Sequence, residues 1–300
     1  MTRSGSARGV CARIAAGVIA VGMLAVLPAA RVLPAGAAQP VTGYWEVAAD
    51  GGIFSFGGAS FHGSMGGTPL NAPIVGMAAA TGGEGYWLVA SDGGVFAFGD
   101  ATFYGSAAAQ VLHAPVVGIT ATPDGHGYWL VGADGGVFAF GDAGYYGSWP
   151  SQNPAGSTGP PWPIIALVSS PDGRGYTLAT SNGMGGYVYG DYGSCRAGPE
   201  GGPDSAVYTA VAAVADQSGT GCWVASVDGG VFTGGSAPFY GSLGGHTLNA
   251  PIVGMARTPD GGGYWLAATD GGVFAFGDAA FEGSMGATPL DEPIVGLAAS

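Results

Sequence analysis

An all-β fold follows from three features of this sequence: a six-fold internal repeat, short apolar segments separated by turn dipeptides, and almost no charge inside those segments. Aligning the chain on a Gly-Tyr-Trp signature puts Trp45, Trp87, Trp129, Thr177, Trp223 and Trp265 at one position, with steps of 42, 42, 48, 46 and 42 residues. Self-similarity at such a period marks stacked supersecondary units, none of which buries its apolar face alone.

Each unit reads as four β segments. In the copy from Pro73 to Ser106 these are PIVGMAAA, YWLVAS, VFAFG and ATFYGS. The first three are β-branched or aromatic and bounded by Gly, Pro or Asp, which is the strand signature. They show little polar alternation, so they are expected to be buried on both faces, as in sheets stacked between sheets. Asp-Gly-Gly separates the second segment from the third at Asp50, Asp92, Asp134, Asp228 and Asp270, with Asn182-Gly183 in the fourth copy. Asp-Gly and Asn-Gly predict a tight type I′ hairpin with both central residues at positive φ. Pro-Asp-Gly, at Pro123, Pro171 and Pro259, turns the first segment into the second. Gly99, Gly141 and Gly277 then let the chain reverse into the fourth. A four-stranded antiparallel meander results.

A four-stranded unit of roughly 40 to 45 residues is the signature of a β-propeller blade. The expected fold is therefore a single β-propeller of six four-stranded blades. The repeat region enters at a second strand, Val41 to Trp45, and finishes on an isolated first strand, Pro293 to Ser300. The C-terminal strand would then complete the first blade and leave no sheet edge at the seam. A linear β-solenoid is the alternative, but it would want atypical capping repeats, and none is evident.

Residues 1–38 read as a signal peptide ahead of a repeat domain at 39–300. Arg3, Arg8 and Arg13 form a positive n-region, Ile14 to Leu27 an apolar run, and Ala35-Gly36-Ala37-Ala38 an A-x-A-like cleavage site. An uncleaved anchor is the rival, yet the run is shorter than the roughly 20 apolar residues a spanning helix needs, and Pro28 and Pro34 close it.

Past residue 38 there is no lysine, and only Arg174, Arg196 and Arg257 stand against all 20 acidic residues, a formal charge of −17. Phosphate binding needs Lys and Arg, so neither nucleic acid nor an anionic membrane is expected as a partner. Cys11 falls in the leader. Cys195 and Cys222 remain, either as one disulfide, favoured in an oxidising compartment, or as two buried thiols. A secreted or cell-envelope location and a monomer are expected.

The tandem GYWLVASDGGVFAFGDAxFYGS unit, quoted best by Gly85 to Ser106, resembles that of exported actinobacterial repeat proteins across residues 43–300. That resemblance implies a propeller-like repeat used alone or beside cell-wall hydrolase domains. The fourth and fifth units depart from it, with Thr177 for Trp and Cys222 for Tyr.

No catalytic constellation emerges. Aspartates present in every copy are explained by what every copy must do, so Asp50, Asp92, Asp134, Asp228 and Asp270 are read as structural turn residues. No D-x-D-x-D-G calcium run occurs, His62, His113, His126 and His246 lack zinc spacing, and the recurrent Gly-Ser pairs form no nucleophile elbow. No metal and no cofactor are expected. Trp149 and Trp162 flank a Ser/Asn/Pro/Gly-rich insertion, and insertions in repeats map to loops on one face, often the binding face. They are candidate ligand-binding residues for cell-wall glycan or an extracellular protein; packing of their own loop is the bland alternative. Two functions follow: a non-catalytic binding module, or a propeller hydrolase such as a glycosidase using channel carboxylates.

Overall fold

A computed structural model describes residues 43–153, 159–183, 186–191 and 209–300. The signal segment, Cys195 and Arg196 lie outside these. Strands β1 (Gly43–Ala48) and β2 (Ile53–Gly57) come first, followed by β3 (Ile74–Ala79), β4 (Gly85–Ala90) and β5 (Val95–Gly99). Next are β6 (Val116–Ala121), β7 (Gly127–Gly132) and β8 (Val137–Gly141), a one-turn helix α1 (Trp149–Gln152), then β9 (Ile164–Ser169), β10 (Gly175–Thr180) and β11 (Gly186–Gly190). The chain continues through β12 (Ala210–Ala215), β13 (Gly221–Ser226), β14 (Val231–Gly235), β15 (Ile252–Arg257), β16 (Gly263–Ala268), β17 (Val273–Gly277) and β18 (Ile294–Ala299).

These make six antiparallel three-stranded sheets, and in each the repeat's Gly-Tyr-Trp strand is central. Sequence-distant β18 completes the first sheet by pairing with β1, Tyr44 opposite Ala299 and Trp45 opposite Ala298. Every residue of each central strand is buried, as their largely apolar sequences favour.

The first strand of each unit lies innermost. β3 packs against β6, β6 against β9, β9 against β12, β12 against β15, β15 against β18, and β18 against β3. Small residues permit that convergence: Gly76, Gly118, Gly254 and Gly296, with Ala166 and Ala212, hold one position of these strands. A Cβ on Gly254 would come within 3.2 Å of the Leu297 amide nitrogen, and one on Gly296 within 3.7 Å of the Gly76 Cα. Apolar clusters fill each gap between neighbouring sheets, as where Trp45, Val47 and Ile53 meet Tyr86, Leu88 and Ala90.

Among the described residues the fourth segment is not a strand. It is expected to pair with the third, yet the described sheets stop at three, and Phe103 to Ser106 run as an irregular strap. Its glycines explain this: Gly63, Gly105, Gly147, Gly241 and Gly283 take φ between 128° and 138°, outside the β region. A Cβ on Gly105 would strike the Phe140 ring at 2.7 Å, so the strap lies against the next sheet rather than along its own.

Side chains hold that strap at two points. The sheet's own tryptophan donates from Nε1 to a strap carbonyl, Trp45 to Ser60, Trp87 to Thr102, Trp129 to Gly144, Trp223 to Pro238 and Trp265 to Ala280, at 2.7–2.8 Å. Two residues further on, the next sheet's tyrosine takes over. Tyr128 Oη accepts from the Tyr104 amide at 3.2 Å and donates to the Gly105 carbonyl at 2.6 Å. Tyr86, Tyr176, Tyr264 and Tyr44 do the same at four other gaps, Tyr44 joining the last unit to the first through Glu282 and Gly283. Burial pushes the Tyr176 phenol up to about 12, so the latch keeps its proton at ordinary pH. Tyr128→Phe is expected to lower unfolding free energy by about 1–2 kcal/mol, because a partly buried amide and carbonyl lose their partner. A denaturation midpoint equal to wild type would remove the latch from the account.

Candidate functional site

The six innermost strands line one cavity of about 960 Å³. Its wall mixes apolar side chains, Met77, Ile119, Leu167, Met255 and Leu297 from five different strands, with polar ones such as Thr120, Ser169 and Gln217. Charge enters only through Glu84, Asp216 and Arg257. Arg257 Nη1 donates to the Thr258 and Pro259 carbonyls at 3.3 and 3.4 Å. Asp216 is buried and already occupied: Ser236 Oγ donates to it at 2.6 Å, Ser218 Oγ at 2.9 Å and the Gly221 amide at 3.1 Å. Burial would raise its pKa, but those bonds outweigh it and hold the carboxylate below its ordinary range. A carboxylate so engaged is poorly placed as a general acid.

Trp149 and Trp162 are not brought into ring contact with each other among the described residues. Trp149 opens α1, its amide donating to the Gly135 carbonyl at 3.0 Å and its ring lying 4.3 Å from that of Tyr187. Its Nε1 is buried without a hydrogen-bond partner. Met65, Ala107, Leu243 and Met285 send their amides to the equivalent glycines, so Trp149 occupies an ordinary position of the repeat, the residue after Gly-Ser. Trp162 is 44% exposed, standing where Ala72, Ala114 and Ala250 precede the proline of other units.

The turn aspartates act differently from the expected type I′ geometry. Positive φ falls on the glycine that follows each one, 81° at Gly51, 83° at Gly93 and 78° at Gly271. The Gly93 amide bonds back to the Ala90 carbonyl while the Ala90 amide bonds to Gly94, a pattern matching a type I turn with a glycine bulge. The carboxylate therefore serves as an acceptor: Asp50, Asp92, Asp134, Asp228 and Asp270 each take the amide two residues on, at 2.8–3.1 Å. Asp92→Asn should leave the melting temperature nearly unchanged, since an amide oxygen accepts the same bond. Asp92→Val should cost about 1–2 kcal/mol through the lost acceptor. A large loss for Asn, or a wild type whose melting temperature responds to chelator, would point instead to a metal.

Asp124, His126 and Asp142 form the one group of three metal-capable side chains among the described residues, with ligand atoms within 4.8 Å, all exposed. Hydrogen bonds from Thr122 and the His126 amide already engage Asp124 and hold it below its ordinary range. Beyond the cluster itself nothing marks an ion there. Sequence reasoning passed over Glu46, which is fully buried in β1 at the position held by Leu88, Leu130, Leu178 and Leu266 in other units. That mismatch is visible in the repeat alignment.

Six radially packed sheets around one cavity define a β-propeller. No family model matches the chain, and no curated protein matches it. Among solved structures it is similar to the β-propeller domain of Cps50 (Swd1) from Myceliophteria thermophila, at 13% identity and a TM-score of 0.49, over 83% of this chain and 84% of that one. At that score the likeness adds nothing to the strand order. No helix among the described residues is long and apolar enough to cross a membrane.

Proposed function

We propose that this chain is a secreted, non-catalytic propeller of six blades, closed by its C-terminal strand, which binds glycan or protein at the cell envelope. Closure is supported by the β18–β1 pairing, by β18 packing against both β15 and β3, and by the Tyr44 latch. Beside five of the three-stranded sheets a described strap takes the place of a fourth strand. Binding is favoured over catalysis by one observation: the cavity's buried carboxylate, Asp216, is already engaged by two serines and an amide. The turn aspartates and latch tyrosines already serve the fold. Export is supported by the n-region, apolar run and cleavage site of residues 1–38.

The test is a pull-down of the exported protein with isolated cell-wall material, alongside chromogenic glycosides. Retention on the wall without turnover is the expected result. Turnover abolished by Glu84→Gln or Asp216→Asn would establish the hydrolase instead.

A further inference from the structure

Five aromatic side chains stand exposed at one position of the repeat. Phe61, Phe103, Tyr145, Phe239 and Phe281 are 60%, 56%, 55%, 60% and 61% exposed, and each immediately precedes the latched strap residue of its unit. Counting back from Gly193-Ser194, the fourth unit carries Asp191 at this position, exposed but not aromatic.

Folding accounts for the buried aromatics but not for these. The residue before each ring varies through Ser60, Thr102, Gly144, Pro238 and Ala280, and the one after through His62, Tyr104, Tyr146, Tyr240 and Glu282. In these five units only the exposed position stays aromatic. Its backbone is fixed on both sides, by the tryptophan Nε1 bond to the carbonyl before it and by the tyrosine bond to the amide after it. Each ring is thus offered to solvent from a backbone already held in place, which lowers the ordering cost of binding.

We infer that these rings form a repeated stacking array for an uncharged polysaccharide, one platform at each described gap between blades. This rests on the binding-module reading above and names its ligand class. A partner protein with one broad apolar face, or a flat bilayer, would want the rings gathered into one patch. Here they are dealt out one per unit around a radial fold, which suits a ligand that repeats its own apolar face. Sugar rings do so. The charge of −17 over residues 39–300 disfavours anionic polymers, and ring stacking itself requires no charge on the sugar, which fits an uncharged one.

The test uses the full chain expressed for export, with insoluble cellulose and chitin as uncharged polymers and heparin as the anionic control. Retention on cellulose or chitin, and none on heparin, is expected. Each single Phe→Ala change at 61, 103, 239 or 281 should weaken binding by about 3- to 10-fold, and the quadruple change by about 100-fold or more. Phe→Leu at all four keeps apolar bulk while removing the flat ring, and guards against a folding defect. It should bind as poorly as the alanine variant, with a melting temperature near wild type. Wild-type affinity in the leucine variant would overturn the array, as would retention on heparin alone or on protein alone. Loss of binding in Trp162→Ala with the quadruple variant unaffected would overturn the array and leave the module reading standing. No retention on any polysaccharide or wall material would remove both.

Discussion

Replacing Glu46 with leucine is expected to stabilise the fold by roughly 5 kcal/mol at pH 8 and above, and to flatten its pH dependence. Glu46 points into the gap between the first and last units, on the same face of β1 as Tyr44 and Ala48, which pack on Trp265, Ala267 and Ile294. It is fully buried, and neither carboxyl oxygen has a hydrogen-bond partner. Burial pushes its pKa from 4.5 up to about 8, and the Asp270 carboxylate adds to the rise.

The sign follows from proton counts. Between about 4.5 and 8 the folded chain holds a proton that the unfolded chain has released, so stability falls as pH rises through that window. At about 1.4 kcal/mol per pH unit, the full loss comes to roughly 5 kcal/mol. Below the window only the cost of a buried neutral carboxyl remains. Asp228 works in a lower range: Ser226 and the Gly230 amide hold its pKa down, so its contribution is lost only as pH falls through that lowered value. Melting curves from pH 5 to 9 for wild type and Glu46→Leu should therefore diverge as pH rises. Glu46→Gln should flatten the slope too, with a smaller gain, because its amide also lacks a partner. Curves that run parallel would sink the assignment.

The reach of sequence reasoning here divides by distance along the chain. Central strands were legible because burial on both faces leaves an unbroken apolar run, as in Gly85–Ala90. The hairpins were legible too, but not their geometry: Asp-Gly names a turn, and only the hydrogen-bond register shows that Gly93, not Asp92, carries the positive φ. ATFYGS looks like a strand because its residues favour one. What decides against it is Gly105 against Phe140 and Tyr128 in the next sheet, contacts across 23 or more residues that no local pattern reports. Trp149 was set apart because an insertion follows it, although the residue after Gly-Ser in four other units makes the same amide bond. The exposed aromatics hid for the opposite reason: one letter of a repeated motif reads as core until its exposure is seen.

Cys222 stands where five other units carry the latch tyrosine, Tyr44, Tyr86, Tyr128, Tyr176 and Tyr264. A thiol side chain is too short to reach a strap carbonyl as the phenol does. Cys222 is disulfide-bonded instead, fully buried beside Val168, Ala179 and Val224 between the fourth and fifth sheets. Cys195 lies outside the described residues, but it follows Gly193-Ser194, where alignment puts the fourth unit's strap, and is the expected partner. A covalent bond would then fasten the one gap that lacks a tyrosine. Closing a loop of about 27 residues is worth roughly 3–4 kcal/mol in the chain-entropy account, and in a domain of this size that shifts the melting temperature on the order of 10 °C. Both reductant and Cys222→Ala should lower the midpoint by that amount, and reductant should then do nothing more to the Cys222→Ala variant. Non-reducing peptide mapping should recover Cys195 joined to Cys222. A midpoint indifferent to reductant, or a map pairing Cys222 elsewhere, would leave that gap held by apolar packing alone.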